Sequence, residues 1–293
     1  MTTLAKTVVA TGLSSGLGFE ALKQLLERTT PYKIILGARD TKATDEAVGK
    51  LEFDRAADAL TVLPLDLSDL SGVKTFAQRA LEEVGQGKID YLLLNAALFK
   101  GAGDKAIPGS KWCEAAVVNH FSQHYLIHLL REKLVASKAR IVVVSSGAIR
   151  DVEDPTAIEE KIKSGSGTEG YPVYACTKFI QLLGAHWWRR QLTGQCDVVA
   201  VSPGFVPDTG LGRHGGLKIP VDVPDAKTTS QGASSVLEAL SRSDFPDDPD
   251  RIFLTSWGEW WGKDVIEKTL DKSLQDKWCP SKQDLDKDSG FSP

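Results

Sequence analysis

The chain has 293 residues, 42% of them hydrophobic, with 35 Lys and Arg against 39 Asp and Glu for a net charge of −4. This composition suits a globular protein with a sizeable core and excludes disordered, collagen-like and membrane-spanning classes. The slight acidity argues against a nucleic-acid partner, which would need a basic face. The four cysteines at 113, 176, 196 and 279 form no CxxC pair, and no charged-then-apolar leader follows Met1. The expected setting is therefore cytoplasmic.

Short apolar runs alternate with amphipathic stretches along the chain. Lys6 to Thr11 reads as a buried strand, followed by a glycine-rich turn and a helix over Phe19 to Arg28. Further strands are predicted at Tyr32 to Ala38, Leu60 to Leu65, Ile89 to Leu94, Arg140 to Ser145, Asp197 to Ser202 and Arg251 to Thr255. Helical patterns separate them, which is the signature of βαβ units. The runs are apolar on both faces, as in parallel sheets covered on two sides. The expected fold is α/β: a Rossmann-type, doubly wound parallel sheet of about seven strands in one domain spanning 1–293. Asp151 to Gly170 reads as a surface insertion, about 205–228 as a mobile loop beside the substrate, and about 281–293 as a polar tail.

Thr11-Gly12-Leu13-Ser14-Ser15-Gly16-Leu17-Gly18 links the first strand directly to the first helix. Glycines permit a tight turn and close approach of a pyrophosphate, and the helix N-terminus offers free N–H groups and a positive dipole end. The turn predicts a dinucleotide site. At the end of the second strand, Ala38 stands where an acid would bind the adenine ribose of NAD, and Arg39 can pair with a 2′-phosphate. This favours NADP(H). A shift of one residue would instead make Asp40 the ribose ligand and select NAD.

Tyr174 and Lys178 lie four residues apart, on one helix face. A neighbouring ammonium stabilises a phenolate, so the pair suits proton exchange with a carbonyl or alcohol oxygen. Ser145 and Ser146 end the fifth strand, at the sheet edge where ligands of open α/β sheets bind.

Over about residues 6 to 205 this ordered set resembles the short-chain dehydrogenases/reductases. The matching pieces are the turn at 11–18, Asp66, Asn95-Ala96-Ala97, Asn119, Ser146, Tyr174 with Lys178, and Pro203-Gly204. The resemblance implies an enzyme that reduces a carbonyl, or an activated C=C, with the NADP(H) that Arg39 favours, and the tryptophan content alone suggests a small hydrophobic or aromatic substrate. Tyr174 would then be the general acid. Lys178 would hold the nicotinamide ribose and lower the phenol's pKa, and Ser146, with Ser145 as the alternative, would bind the substrate oxygen. Asn119 would hold a relay water. Implied cofactor contacts are Gly12, Ser14, Ser15, Gly16, Leu17, Gly18, Arg39, Asp66, Leu67, Asn95, Ala96, Tyr174, Lys178, Pro203, Gly204 and Val206. Within the family, the SSGLG turn, the NAA triplet and Asn119-His120 are similar to the protochlorophyllide oxidoreductase branch, although Gln123 stands where that branch commonly has His. The other reading is an NADP(H)-binding redox sensor with little catalysis.

The expected partner is a small-molecule substrate, and a homo-oligomer is allowed. Ser146 and Tyr174 are separated by 28 positions, a longer interval than is usual in the family, so residues 151–170 are expected to loop out near the mouth of the site. Trp187 and Trp188 read as helix-packing residues. Trp257, Trp260 and Trp261 read as core, with a flat apolar substrate as the alternative contact. His120, His124 and His128 share a helix face, but no acid or cysteine joins them at ligand spacing, so no metal is expected.

Overall fold

A computed structural model describes residues 5–54, 58–103, 107, 110–214 and 226–288. Seven parallel strands form its sheet: β1 (Lys6–Thr11), β2 (Tyr32–Ala38), β3 (Ala59–Pro64), β4 (Tyr91–Leu94), β5 (Arg140–Val144), β6 (Asp197–Val201) and β7 (Phe253–Leu254). Their order is β3-β2-β1-β4-β5-β6-β7. The chain builds outward from β1 in one direction, then returns to the other side of β1 for β4. The connection reverses between β1 and β4, which opens a crevice at the carboxyl ends of these two strands.

Alternate strand residues point to opposite faces, and both faces are buried. Val9, Ile35, Leu92, Ile141, Val143 and Val198 join one core. Val8, Ile34, Leu93, Val142, Val144 and Val199 join the other. Helices α1 (Gly16–Leu26) and α8 (Thr229–Ser241) cover the second core through Leu22, Leu25, Val236 and Leu240. On the first lie α3 (Leu70–Val84), α5 (Ser122–Ser137) and α7 (Gly170–Gln191), with Phe76, Leu126, Leu130, Phe179 and Leu183 inward. Helix α2 (Thr41–Val48) follows β2, and a short α4 (Glu114–Ala116) runs into α5 through a π-helical turn at Val117–Phe121. Among the described residues no helix is long and apolar enough to cross a membrane.

The strand boundaries differ from the sequence reading where side chains or edge geometry intervene. β4 starts at Tyr91, after Ile89 and Asp90, because the Asp90 carboxylate accepts from Thr7 N at 2.8 Å and ties that corner by its side chain. β7 stops at Leu254 because the chain turns back, with Thr255 N donating to Glu259 O at 2.7 Å and Leu254 bridging Trp260. Helix α1 begins at Gly16, ahead of its first apolar repeat, since its opening turn is part of the glycine loop.

Residues 151–170 are more than a surface insertion. Within them α6 (Ile158–Ile162) puts Ile158 and Ile162 into the core, both fully buried, and Cys113 N donates to Ile162 O at 2.9 Å. The sequence reading took the Gly, Ser and Glu content of the segment as its character, whereas two isoleucines decide where it sits. Of the last described helices, α9 (Lys263–Ile266), α10 (Lys272–Trp278) and α11 (Lys282–Asp288), α10 returns across α7 and α11 across α5. The expected polar tail at 281–293 is thus helical as far as Asp288, with Leu285 buried; residues 289–293 lie outside the described residues. Truncating Ile162 to Ala should lower the unfolding free energy by about 2–4 kcal/mol. Urea denaturation checks this, and an unchanged midpoint would show the segment to be a passive elaboration.

Candidate active site

The crevice at the carboxyl edge is a cavity of about 970 Å³. Its first wall is the turn after β1. Gly12 has φ +71°, and a Cβ there would lie 2.5 Å from the backbone of Ala96; a Cβ on Gly18 would overlap Gly12 O. Asn95 Nδ2 donates to that same carbonyl at 2.7 Å, and Ala96 N donates to Thr11 Oγ1 at 3.2 Å. The tips of β1 and β4 are thus bound together. Ser15 precedes α1 without a side-chain cap bond, so the helix's leading N–H groups remain open to a ligand.

At the end of β2, Ala38 and Arg39 line the cavity, and Arg39 is exposed. Asp40 is absent from that wall. Its carboxylate caps α2, accepting from Ala43 N at 2.9 Å. After β3, Asp66 accepts from Ser68 N at 2.8 Å and Ser68 Oγ at 2.7 Å, which holds its side chain in a tight turn beside the lining residue Leu67.

The opposite wall is built on β5 and α7. The adjacent serines divide by the alternation of an extended chain. Ser145 is buried and donates to Lys178 O at 3.0 Å, whereas Ser146 lines the cavity and accepts from Ala148 N at 3.2 Å. Tyr174 faces the cavity, with its ring centroid 5.3 Å from that of Phe99. Burial raises its phenol above the ordinary value, opposed by its hydrogen bond with Ser146. Lys178 is almost wholly buried; its Nζ donates to Val144 O at 2.8 Å and Gln181 Oε1 at 3.0 Å and lies 5.7 Å from the centre of the Tyr174 ring. Desolvation lowers its pKa to about 7.

All but two of the residues selected from sequence line this cavity: Gly12, Ser14, Ser15, Leu17, Gly18, Arg39, Asp66, Leu67, Asn95, Ala96, Ser146, Tyr174, Lys178, Pro203, Gly204 and Val206. Gly16 and Asn119 stand behind the wall. Gly16 packs against the backbone of Thr209. Asn119 sits in the π-helical turn and accepts from Leu98 N at 2.6 Å; it donates to Leu98 O at 2.9 Å and to Thr177 Oγ1 at 3.0 Å. Its side chain fastens the loop after β4 to α7. Gln123 was noted in the sequence only as a departure, yet its Nε2 donates to Ala96 O at 2.9 Å and Asn119 O at 3.0 Å. It joins β4 to the turn that carries Asn119. The expected loop at 205–228 contributes Phe205, Val206, Thr209, Gly210, Leu211 and Lys227 to the wall, and residues 215–225 lie outside the described residues.

The mouth carries residues that the sequence reading did not assign: Phe99, Arg150, Asp151 and Tyr171. Trp257 and Trp261 also line it, whereas Trp260 turns away and donates to Asp244 O at 3.0 Å. Trp188 is buried and Trp187 packs beside it, as a helix-packing role requires. Cys176, between Tyr174 and Lys178, is buried, and its thiol is pushed up to about 11, so the reactive thiolate is disfavoured.

The three histidines do share one face of the helix, stacked against α7 and the C-terminal segment. His120 Nε2 meets Trp278 O at 2.7 Å, His124 Nε2 meets Pro280 O at 3.0 Å, and Trp188 Nε1 donates to His124 Nδ1 at 2.9 Å. His128 Nε2 lies 3.1 Å from His124 Nε2. Burial holds them neutral, with His120 and His128 lowered to about 4 and His186, on α7, to about 3. Below the unfolded-state value near 6.5 the unfolded chain therefore takes up protons that the folded chain refuses. Stability is full above about pH 6.5 and lost as the pH falls toward 4. The melting temperature should drop through this window. The drop should be shallower in His186→Leu, which removes a buried imidazole whose Nε2 has no hydrogen-bond partner. Parallel curves from the two proteins would count against this assignment.

The family model described as short chain dehydrogenase matches residues 6–155. The short-chain dehydrogenase/reductase GME11359 of Pestalotiopsis microspora is 56% identical over 287 residues, covering 97% of this chain and 99% of its own. Retinol dehydrogenase 14 of Homo sapiens is 30% identical over 298 residues, covering 93% of this chain and 83% of its own. Among solved structures, the NADPH-bound carbonyl reductase from chicken fatty liver superposes with a TM-score of 0.67 at 19% identity, covering 88% of this chain and 94% of its own. The carbonyl reductase Sniffer of D. melanogaster gives 0.65 at 16% identity, covering 88% of this chain and 99% of its own.

Proposed function

Since the chain belongs to the short-chain dehydrogenase/reductase family, we propose that it is an NADPH-dependent oxidoreductase that reduces a carbonyl group of a small hydrophobic or aromatic substrate. The observation that carries this reading is the convergence of Ser146, Tyr174 and Lys178 on one wall of a cavity whose other end is the glycine turn.

The residues present fit the cofactor. A Cβ at Gly12 or Gly18 would fill the cradle after β1, and α1 opens toward it with uncapped N–H groups. Ala38 presents no acid to repel a 2′-phosphate, Arg39 is free to pair with one, and Asp40 is occupied at the start of α2. Asp66, Leu67, Asn95 and Ala96 would hold the adenine half, and Pro203, Gly204 and Val206 the nicotinamide half. When bound, NADPH supplies the hydride for the carbonyl carbon. The names of the retinol dehydrogenase and carbonyl reductase relatives support this chemistry.

The protein's own part is to position the substrate and move a proton. Ser146 Oγ donates a hydrogen bond to the substrate oxygen, and Tyr174 donates its proton to the same atom as charge develops there. Burial favours the protonated phenol before reaction, which is the form that can donate. Lys178 in its protonated form lowers the cost of ionising that phenol as the proton leaves. Asn119 serves this arrangement by tying α7 to the loop after β4. The four cysteines are free and buried, which supports a cytoplasmic location.

Tyr174→Phe should reduce NADPH-dependent turnover of aromatic ketones by about 10³-fold while changing the NADPH dissociation constant little. Turnover near the parent rate would remove Tyr174 from the acid's role, and tight NADPH binding without turnover of any carbonyl by the parent protein would favour the redox sensor. Arg39→Ala should weaken NADPH at least about tenfold and leave NADH nearly unaffected. Equal losses for both would show that Arg39 is not the phosphate ligand.

A further inference from the structure

Tyr171, Phe205 and Trp257 are the exposed large hydrophobic side chains among the described residues, at 46%, 39% and 60% exposure. Scattered singly over a surface they would need no explanation. All three line the same cavity mouth, together with Phe99 and Trp261. Trp257 and Trp261 lie 5.8 Å apart, edge to face. Aromatic walls of this kind gain most by covering a flat ring system.

Arg150 lies at the same mouth, on the 3-10 turn Gly147–Asp151 that follows Ser146. Its Nε donates to Gly147 O at 3.0 Å, and its guanidinium carbon lies 5.3 Å from the centre of the Trp261 ring. These contacts hold the base of the fork and one of its faces, and no carboxylate among the described residues lies within ion-pair distance of it. The acids nearby are engaged. Asp151 accepts from the Tyr171 hydroxyl, and Glu114 pairs with Lys100 at 2.8 Å. The mouth therefore combines aromatic faces with a cation, Arg150, that no carboxylate among the described residues answers, and Lys227 is a second such cation further along the same wall.

We propose that Arg150 determines specificity by pairing with an anionic substituent, and that the substrate is a planar aromatic ketone carrying a carboxylate or a similar oxyanion. The assignment rests on the carbonyl-reductase reading above and names the substrate class for that site. Arg150 Nε donates to Gly147 O, so its guanidinium folds back over the residue that follows Ser146. The ketone and the anion would thus sit on one aromatic ring, a few carbons apart. A guanidinium fork suits a planar carboxylate and gains strength as the substrate displaces water from it.

The test compares 3-acetylbenzoate with its methyl ester, using the NADPH-loaded parent enzyme, Arg150→Met and Arg150→Lys. In the parent, kcat/KM for the acid should exceed that for the ester by about tenfold or more. Arg150→Met should collapse this ratio to about one, and Arg150→Lys should restore part of it. A parent ratio near one, a ratio unchanged in Arg150→Met, or an effect confined to the KM for NADPH would overturn the proposal. If neither compound is reduced, the carbonyl-reductase reading loses this substrate class. Calorimetric binding of the same two compounds to the parent and Arg150→Met proteins then decides the anion site alone: tighter binding of the acid that depends on Arg150 sustains it, and equal binding refutes it.

Discussion

The close approach of α1 to the end of β1 governs the geometry of the whole cavity. The helix comes so near that Gly18 touches the carbonyl of Gly12, leaving no room for a side chain. Asn95 reaches across from β4 to the same oxygen, so one backbone carbonyl fixes the relation of helix, central strand and returning strand. The reversal of strand order at this point opens the crevice. The serine, tyrosine and lysine of the far wall face this end across one cavity.

The far wall depends on a different constraint, the burial of an ammonium group. Lys178 gives up water and receives the carbonyl of Val144 and the amide oxygen of Gln181, while Ser145 secures its backbone. Desolvation weakens its hold on a proton beside the Tyr174 ring. Polar satisfaction behind the wall and a shifted titration in front of it therefore meet in a single side chain.

Local information made much of this legible in the sequence. The strands from β1 to β6 could be read because buried parallel strands are apolar on both faces, and β1 and β2 ended where their patterns ended. The glycine turn and the Tyr174–Lys178 pair could be read because their chemistry lies within eight and five consecutive residues. The sequence favoured Ala38-Arg39 over Asp40, and the capping bond of Asp40 to Ala43 supports that side. What escaped depended on distant partners. Gln123 gains meaning only from the carbonyls it meets, Ile158 and Ile162 only from the core beneath them, and Arg150 only from the aromatic mouth around it. The tryptophans near the end looked alike in sequence, but structure divides them: Trp260 packs away from the cavity, and Trp257 and Trp261 line it.

The C-terminal segment reaches back to the helices that carry the site. Trp278 O and Pro280 O meet the histidines of the Asn119 turn and of α5, and the Tyr125 hydroxyl bonds to Asp286. Trp187 on α7 donates to Asp276 at 3.1 Å. During synthesis these contacts cannot form until residues 276–286 have emerged, long after the glycine turn and Tyr174 have been made. The glycine turn is therefore made well before the rear support of the helix that carries Tyr174.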